Sequence, residues 1–289
     1  MSIAYLNGEF LPLHEAKISP LDRGFMFADG VYEVIPVYAG VPFRLPDHLR
    51  RLQYSLGEIQ LPSPLTQEQW EALCHEMVDL NGGGNLSLYL QITRGTPVQR
   101  DHAFPELTTK ATVFAMATPL TIPTQAPTNP QGESAITLED LRWARCDIKA
   151  IALLPNILMR QQAADAGAAE AILLRNGYAT EGAASNLFIV QENVIITPPL
   201  SHHILGGITR DVVIELCQQH GLNVQEKPIP KAQLQQAEEI WITSSTREVV
   251  PIVTLDGSPI GHGVPGPLWR QVASLYTQLR RQLCGLEPL

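Results

Sequence analysis

Cysteine, lysine and long apolar runs are all scarce in this chain, and each scarcity removes a class of protein. The four cysteines, Cys74, Cys146, Cys217 and Cys284, lie far apart and form no CxxC pair. That spacing excludes a disulfide framework, and the four read as reduced, mostly buried thiols. Basic charge is in deficit: 20 Lys and Arg against 29 Asp and Glu leave a net charge of −9. A nucleic-acid surface needs a basic patch, so small molecules are the expected ligands. The longest apolar stretch, 150–159, is broken by Pro155 and Asn156 and is far too short for a membrane span. The opening "MSIAYLNGEF" shows no basic segment followed by an apolar one, so a cytoplasmic, soluble protein is expected.

Familiar site signatures are missing as well. There is no GxGxxG after a strand, no GKS or GKT, no HExxH and no GxSxG, which lowers nucleotide-fold, zinc-protease and hydrolase readings. The adjacent His202 and His203 have no second ligand cluster at metal spacing, so they read as a loop feature and no metal is expected.

What is present is an interleaving of hairpins and helices. "IAYLNGEFLPL" turns at Asn7-Gly8 and "VYEVIPVYAGVPFRL" at Ala39-Gly40. "PDHLRRLQYSLGEI" puts Leu49, Leu52, Leu56 and Ile59 at helical spacing, and a further helix starts at Thr66. From Leu120 to Glu133 the composition shifts to Pro, Thr and Gln, as in a linker. The expected division is a domain over 1–120, a connection over 121–133 and a domain over 134–289. In the second domain, helices are expected at about 155–167, in "GGITRDVVIELCQQHG" and at the C-terminus, among several strands. The class is mixed α and β, with largely antiparallel or mixed sheets.

Against this background one lysine stands out. Lys149 lies between Asp147 and a run of aliphatics. It is either a surface residue on a strand edge or a group whose chemistry needs a partly dry pocket. Desolvation favours the neutral, nucleophilic amine, which suits Schiff-base formation with an aldehyde. Taken alone, such a lysine is more often structural. Other segments change that balance. In "TEGAASNLFIV", Glu181 precedes small residues that let backbone approach a flat ligand, and a carboxylate there could hold the protonated ring nitrogen of pyridoxal phosphate. "GGITRDVV" offers glycines at a helix start, a natural phosphate cup. "ITSSTRE" adds Ser244 and Ser245 at a strand end, and Arg51 supplies a cation from the first helix.

The segments "DRGFMFADGVYEV", "HLRRL", "ITRG", "CDIK", "TEGAASNLF", "GITRDVV" and "TSSTRE" together resemble the class IV, fold-type IV pyridoxal-phosphate aminotransferases. That family holds branched-chain aminotransferases, D-amino acid aminotransferases and aminodeoxychorismate lyase. The resemblance implies a two-domain fold, pyridoxal 5'-phosphate as cofactor, and a homodimer with its active site at the subunit interface. It implies that Lys149 forms the Schiff base and shuttles the proton, and that Glu181 pairs with the pyridine nitrogen. Arg51, the backbone at Ile208 and Thr209, and Ser245 would hold the phosphate, with Ser244 close by and Leu205 against the ring. Ser245 stands where a threonine is common, which keeps the hydroxyl.

Within the family, "RGTPVQRDHAFPE" is the most informative segment. Its Arg100 and His102 match the R-x-H signature of the D-amino acid enzymes, in which they reach in from the partner subunit and bind the substrate carboxylate with Tyr32. Without the resemblance, the pair would read as a solvated loop. Branched-chain enzymes typically carry a tyrosine five residues after the lysine, where this chain has Leu154. The implied reaction moves the amino group of a D-amino acid, D-alanine in type, to 2-oxoglutarate, giving a 2-oxo acid and D-glutamate. The rivals are the branched-chain enzyme, the lyase and a catalytically silent cofactor carrier.

Overall fold

The computed structural model describes residues 2–106, 108–122 and 131–285. By its internal contacts the chain divides into two units, Met1–Ile122 with Ile148–Ala152, and Pro123–Asp147 with Leu153–Leu289. Most of the linker expected over 121–133 lies outside the described residues. The segment carrying Lys149 belongs to the first unit, whereas the sequence pattern groups it with the second. Backbone pairing accounts for this. Tyr32 N–H donates to the Lys149 carbonyl at 3.0 Å and Ile151 N–H to the Gly30 carbonyl at 3.1 Å. Ala150 thereby bridges Val31 in antiparallel fashion.

In the first unit, β1 (Ile3–Leu6) and β2 (Glu9–Pro12) form the expected hairpin, turning through Asn7 at φ 52° and Gly8 at φ 107°. These left-handed conformations match the twist of the ribbon, and Asn and Gly tolerate them best. A short helix, α1 (Arg23–Phe27), leads into β3 (Gly30–Tyr38) and β4 (Val41–Pro42). After α2 (Leu45–Glu58) and α3 (Gln67–Leu80) come β5 (Leu86–Thr93) and β6 (Thr112–Pro119). The sheet runs β2-β1-β6-β5-β3-β4, antiparallel throughout the described pairs. Thr66 and Gln69 cap α3 reciprocally, as its polar first turn suggests.

Alternation along β3 and β5 gives the sheet one apolar face. Val31, Ile35, Val37, Leu88, Leu90 and Ile92 are buried there with Leu49, Leu52 and Leu56 of α2 and Trp70 of α3. Each such aliphatic contributes about 1.5–3 kcal/mol by leaving water. Glu33 falls on this same face by the period of two and is fully buried. A carboxylate in that position must find partners, and α2 supplies them.

The second unit opens with β7 (Glu133–Glu139), α4 (Leu154–Asp165), β8 (Glu170–Arg175), β9 (Tyr178–Gly182), β10 (Asn186–Gln191) and β11 (Val194–Thr197). Next come α5 (Ile208–Gln219), β12 (Val224–Glu226), β13 (Ile229–Pro230) and α6 (Lys231–Gln235). The unit ends with β14 (Glu239–Ser244), β15 (Glu248–Leu255), β16 (Ser258–Pro259) and α7 (Pro267–Leu283). Among the described residues its sheet has ten strands in the order β12-β11-β10-β14-β15-β7-β8-β9-β13, with β16 beside β15. It is mixed: β7 runs parallel to both β8 and β15, and β11 parallel to β12. The mixed α and β class expected from the sequence is what folds. The elements the sequence did not announce, α1, α6, β12 and β13, have five residues or fewer. Segments that short carry too few residues for a period to register.

Candidate active site

In the first unit, Lys149 is half-buried and its peptide is fixed from both sides. Its N–H donates to Ser55 Oγ of α2 at 3.2 Å, and its carbonyl accepts from Tyr32. The Nζ atom lies 4.2 Å from the centroid of the Tyr32 ring, so two of the expected site residues meet directly. A strand-like bridge holds the backbone while the side chain projects over an aromatic face, which favours a cation when the amine is protonated. Tyr32 lies on the face of β3 opposite Glu33, with the Tyr89 ring centroid 5.7 Å away and the Tyr89 hydroxyl 2.7 Å from Gln91 Oε1.

On the buried face, Arg51 is bidentate to Glu33, with Nε at 2.8 Å and Nη2 at 2.7 Å, and His48 Nδ1 lies 2.8 Å from the same carboxylate. His48, Arg51 and Ser55 recur at helical spacing, so α2 turns all three toward β3. Burial works against the Glu33 charge, but Arg51 and the hydrogen bonds from Arg51 and His48 outweigh it and hold the carboxyl well below its usual range. Burial likewise lowers the pKa of His48, against the opposing pull of Glu33, so its ring stays neutral. Neither Glu33 nor His48 was among the residues expected at the site. The signal for Glu33 was a lone acid on the apolar side of an alternating strand.

Arg100 and His102 are exposed, in a loop without regular structure. They share one neighbour: the Arg100 guanidinium sits 4.7 Å from the Phe27 ring centroid and the His102 ring 5.2 Å from it.

The second unit gathers its own cluster. Glu181, on β9, is 4% exposed. One oxygen accepts from Arg142 Nη1 at 2.5 Å, and the other from Asn186 Nδ2 and the Leu205 N–H, both at 3.0 Å. Asn186 Nδ2 also reaches the Leu205 carbonyl at 2.8 Å, so Glu181 and Leu205, expected separately, are joined through it. Arg142 gives Nε and Nη2 to Asp140, each at 2.9 Å, leaving one nitrogen for Glu181. Burial raises the Glu181 carboxyl to about 7, against the pull of Arg142 and with a further push from Asp140. Burial opposes the Arg142 charge too, yet Asp140 and Glu181 together hold its pKa above the ordinary value. The pairing is unequal: Arg142 answers to two carboxylates, whereas Glu181 has one arm of one arginine. Asn186 was visible within "TEGAASNLF"; Arg142 had no signal in spacing or pattern.

Ile208 and Thr209 are buried in the first turn of α5, whose N-cap Gly207 offers no side chain to accept from the first N–H groups. A Cβ at Gly207 would come within 1.8 Å of Asn186 Oδ1, so only glycine fits. Ser244 ends β14, beside the Asn186–Thr243 pair, and Ser245 begins the following turn. These residues suit pyridoxal phosphate. A helix start without a side-chain cap accepts a phosphate, and a carboxyl near 7 whose one arginine is shared with Asp140 accepts a cationic ring nitrogen. Among the described residues no cluster of His, Cys, Asp and Glu could hold a metal ion. His202 instead lies 3.2 Å from Asp147. Leu154 is exposed at the start of α4.

Residues 30–255 match the family described as amino-transferase class IV. The chain is 42% identical over 268 residues to a D-alanine aminotransferase of Bacillus licheniformis, covering 92% of this chain and 93% of that one. To a D-alanine aminotransferase of Staphylococcus haemolyticus it is 38% identical, with 94% and 95% covered. Among solved structures, the branched-chain amino acid aminotransferase from Escherichia coli matches with a TM-score of 0.87 at 26% identity, covering 96% and 94% of the chains. The T.th. branched-chain amino acid aminotransferase with pyridoxamine 5'-phosphate matches with a TM-score of 0.88 at 29% identity, covering 99% and 95%.

Proposed function

The chain belongs to the class IV aminotransferases, and from that membership we propose that it transfers the amino group of D-amino acids, D-alanine foremost, to 2-oxoglutarate with pyridoxal phosphate as cofactor. The observation that carries this reading is identity of 42% to a D-alanine aminotransferase over 92% of the chain. The branched-chain structures share the fold at 26% and 29% identity and favour the rival less.

When bound, pyridoxal phosphate supplies an electron sink for the charge that develops at the substrate α-carbon. Lys149 would hold the cofactor through Nζ, and its free amine would take the proton from the substrate α-carbon. Glu181 would keep the ring nitrogen protonated, and Leu205 would pack against the ring. The first-turn N–H groups at Ile208 and Thr209 would receive the phosphate, a role Arg51, Ser244 and Ser245 would share. Tyr32, Arg100 and His102 take the substrate carboxylate. In a homodimer, Arg100 and His102 of one protomer serve the site of its partner; their exposure on the single chain supports this arrangement. No helix among the described residues is long and apolar enough to cross a membrane.

The test is pyruvate formation from D-alanine and 2-oxoglutarate by the purified protein, with L-alanine and L-leucine as controls. A preference for L-leucine overturns the reading in favour of a branched-chain enzyme. Lys149→Ala should lower turnover by at least about 10²–10⁴ while the protein stays folded. Retained turnover removes Lys149 from the chemistry.

A further inference from the structure

The loop bearing Arg100 and His102 has no strand or helix to give it shape, yet a side chain from a different element grips its backbone. Arg23, on α1, is 4% exposed. Its Nη1 donates to the carbonyls of Asp101 at 2.6 Å and Ala103 at 3.1 Å, and its Nη2 to the carbonyl of His102 at 3.2 Å. The third nitrogen, Nε, donates to Asp29 at 2.7 Å. All three nitrogens are used, and three consecutive carbonyls of the loop converge on one planar group.

The grip is itself anchored. Asp29 accepts from Arg94 Nε at 2.8 Å and Nη2 at 3.1 Å, so one carboxylate holds two arginines. Burial works against the Asp29 charge, but its bonds to Arg94 and Arg23 and their charges prevail and keep it ionised. Arg94 is tied to the carbonyls of Ile59 and Gln60 at the end of α2, and its guanidinium lies 3.7 Å from the Phe104 ring centroid. Phe27, four residues after Arg23, is the shared neighbour of Arg100 and His102. The loop is therefore held at 101–103 by Arg23, at Phe104 by Arg94 and at its two functional side chains by Phe27.

We infer that Arg23 is a positioning residue of the reaction: it fixes the backbone of 101–103 so that Arg100 and His102 present one geometry to the substrate carboxylate. This rests on the assignment of Arg100 and His102 proposed above. A cation that grips three carbonyls of an irregular loop sets the direction of the side chains between them, and orientation of a charge trap is felt in substrate binding. Lysine cannot replace it, because an ammonium offers a point charge where a planar fork is needed.

The experiment uses holoenzyme of the wild type, Arg23→Lys, Arg100→Ala and the double variant. Arg23→Lys should raise KM roughly 10-fold for both D-alanine and 2-oxoglutarate, with kcat changed less and the cofactor absorbance unaltered. In the Arg100→Ala background the same substitution should add no more than about 2-fold, because the group it positions is gone. Backbone amides of 99–104 should exchange hydrogen faster in Arg23→Lys than in wild type. A full effect of Arg23→Lys in the Arg100→Ala background, or unchanged exchange in the loop, overturns the inference. So does an unchanged KM in Arg23→Lys when Arg100→Ala raises it. If Arg100→Ala leaves KM unchanged, the carboxylate assignment fails first and the inference falls with it. Should Arg23→Lys not fold, Phe27→Leu gives a second route: it leaves the Arg23–Asp29 pair but removes the ring that lies 4.9 Å from the Arg23 guanidinium, and it should raise the same two KM values and speed exchange at 99–104; unchanged KM and exchange overturn the inference.

Discussion

Glu33 and Glu181 are both buried acids, each beside an arginine, one in either unit, yet they are pushed in opposite directions. Glu33 receives a whole guanidinium edge and the His48 ring as well. Its lone pairs are matched by donors, and the charge survives burial. Glu181 receives one arm of Arg142, whose other two nitrogens are committed to Asp140, together with two neutral N–H donors. Burial wins there, and the carboxyl rises to about 7. The difference shows that having an arginine nearby decides little; what counts is how many of its donors are already spent. Glu33 is satisfied by its own unit and serves as a rivet between β3 and α2. Glu181 is left short of positive charge, the condition in which a cationic ring nitrogen gains most from pairing with it.

The largest way to break this contrast is at Glu33. Glu33→Gln strands Arg51 inside the fold without its countercharge, and loss of one partner of a buried pair costs about 3–5 kcal/mol. The expected outcome is a marked drop in thermal midpoint, measured by calorimetry. The pH dependence has a definite sign. The folded pKa of Glu33 is depressed, so its contribution is present above the unfolded value near ~4.3 and is lost as pH falls below it. The variant should lose that part of the acid sensitivity.

Glu181 should behave in the reverse sense. Its folded pKa is raised to about 7, so the cofactor-free protein binds more protons folded than unfolded between its ordinary value and 7. Stability therefore declines as pH rises through that window, by on the order of 3–4 kcal/mol. Glu181→Gln should flatten the decline in urea titrations of cofactor-free protein. The same substitution should slow the half-reaction with D-alanine about 10–100-fold, since an amide does not hold a ring nitrogen protonated. A decline of equal slope in the variant would show that another group carries it.

How legible these two acids were follows from their surroundings. Glu181 stood inside "TEGAASNLF", where its glycine and small neighbours already set it apart, and Asn186 of the same run turned out to tie it to Leu205. Glu33 was overlooked because its partners, His48 and Arg51, arrive from another element. A strand pattern shows that an acid is buried without showing what meets it. Arg23 and Arg142 were overlooked for a stronger reason. Each acts on residues far away in the chain, Arg23 on 101–103 and Arg142 on Glu181, and no local period encodes a contact of that range. The hairpins at Asn7-Gly8 and Ala39-Gly40 and the helix opening at Thr66 were readable because their chemistry is local.

The smallest expected effect tests whether the Glu33 scaffold reaches the chemistry at all. Ser55 lies on the same face of α2 as His48 and Arg51, fully buried, and its Oγ accepts from the Lys149 N–H at 3.2 Å. Ser55→Ala leaves the ion pair intact and removes only that bond. A typical hydrogen bond contributes about 0.5–1.5 kcal/mol net, so the thermal midpoint should fall slightly. If α2 merely covers the sheet, kcat should stay at the wild-type value. If the rivet at Glu33 also sets where Lys149 stands, the freed peptide lets the amine wander, and kcat should fall several-fold with the KM for D-alanine little changed. Ser55→Thr, which keeps the hydroxyl, should recover much of the loss if the added methyl is accommodated. An unchanged kcat in Ser55→Ala would confine the role of α2 to stability and leave Tyr32 as the side that positions Lys149.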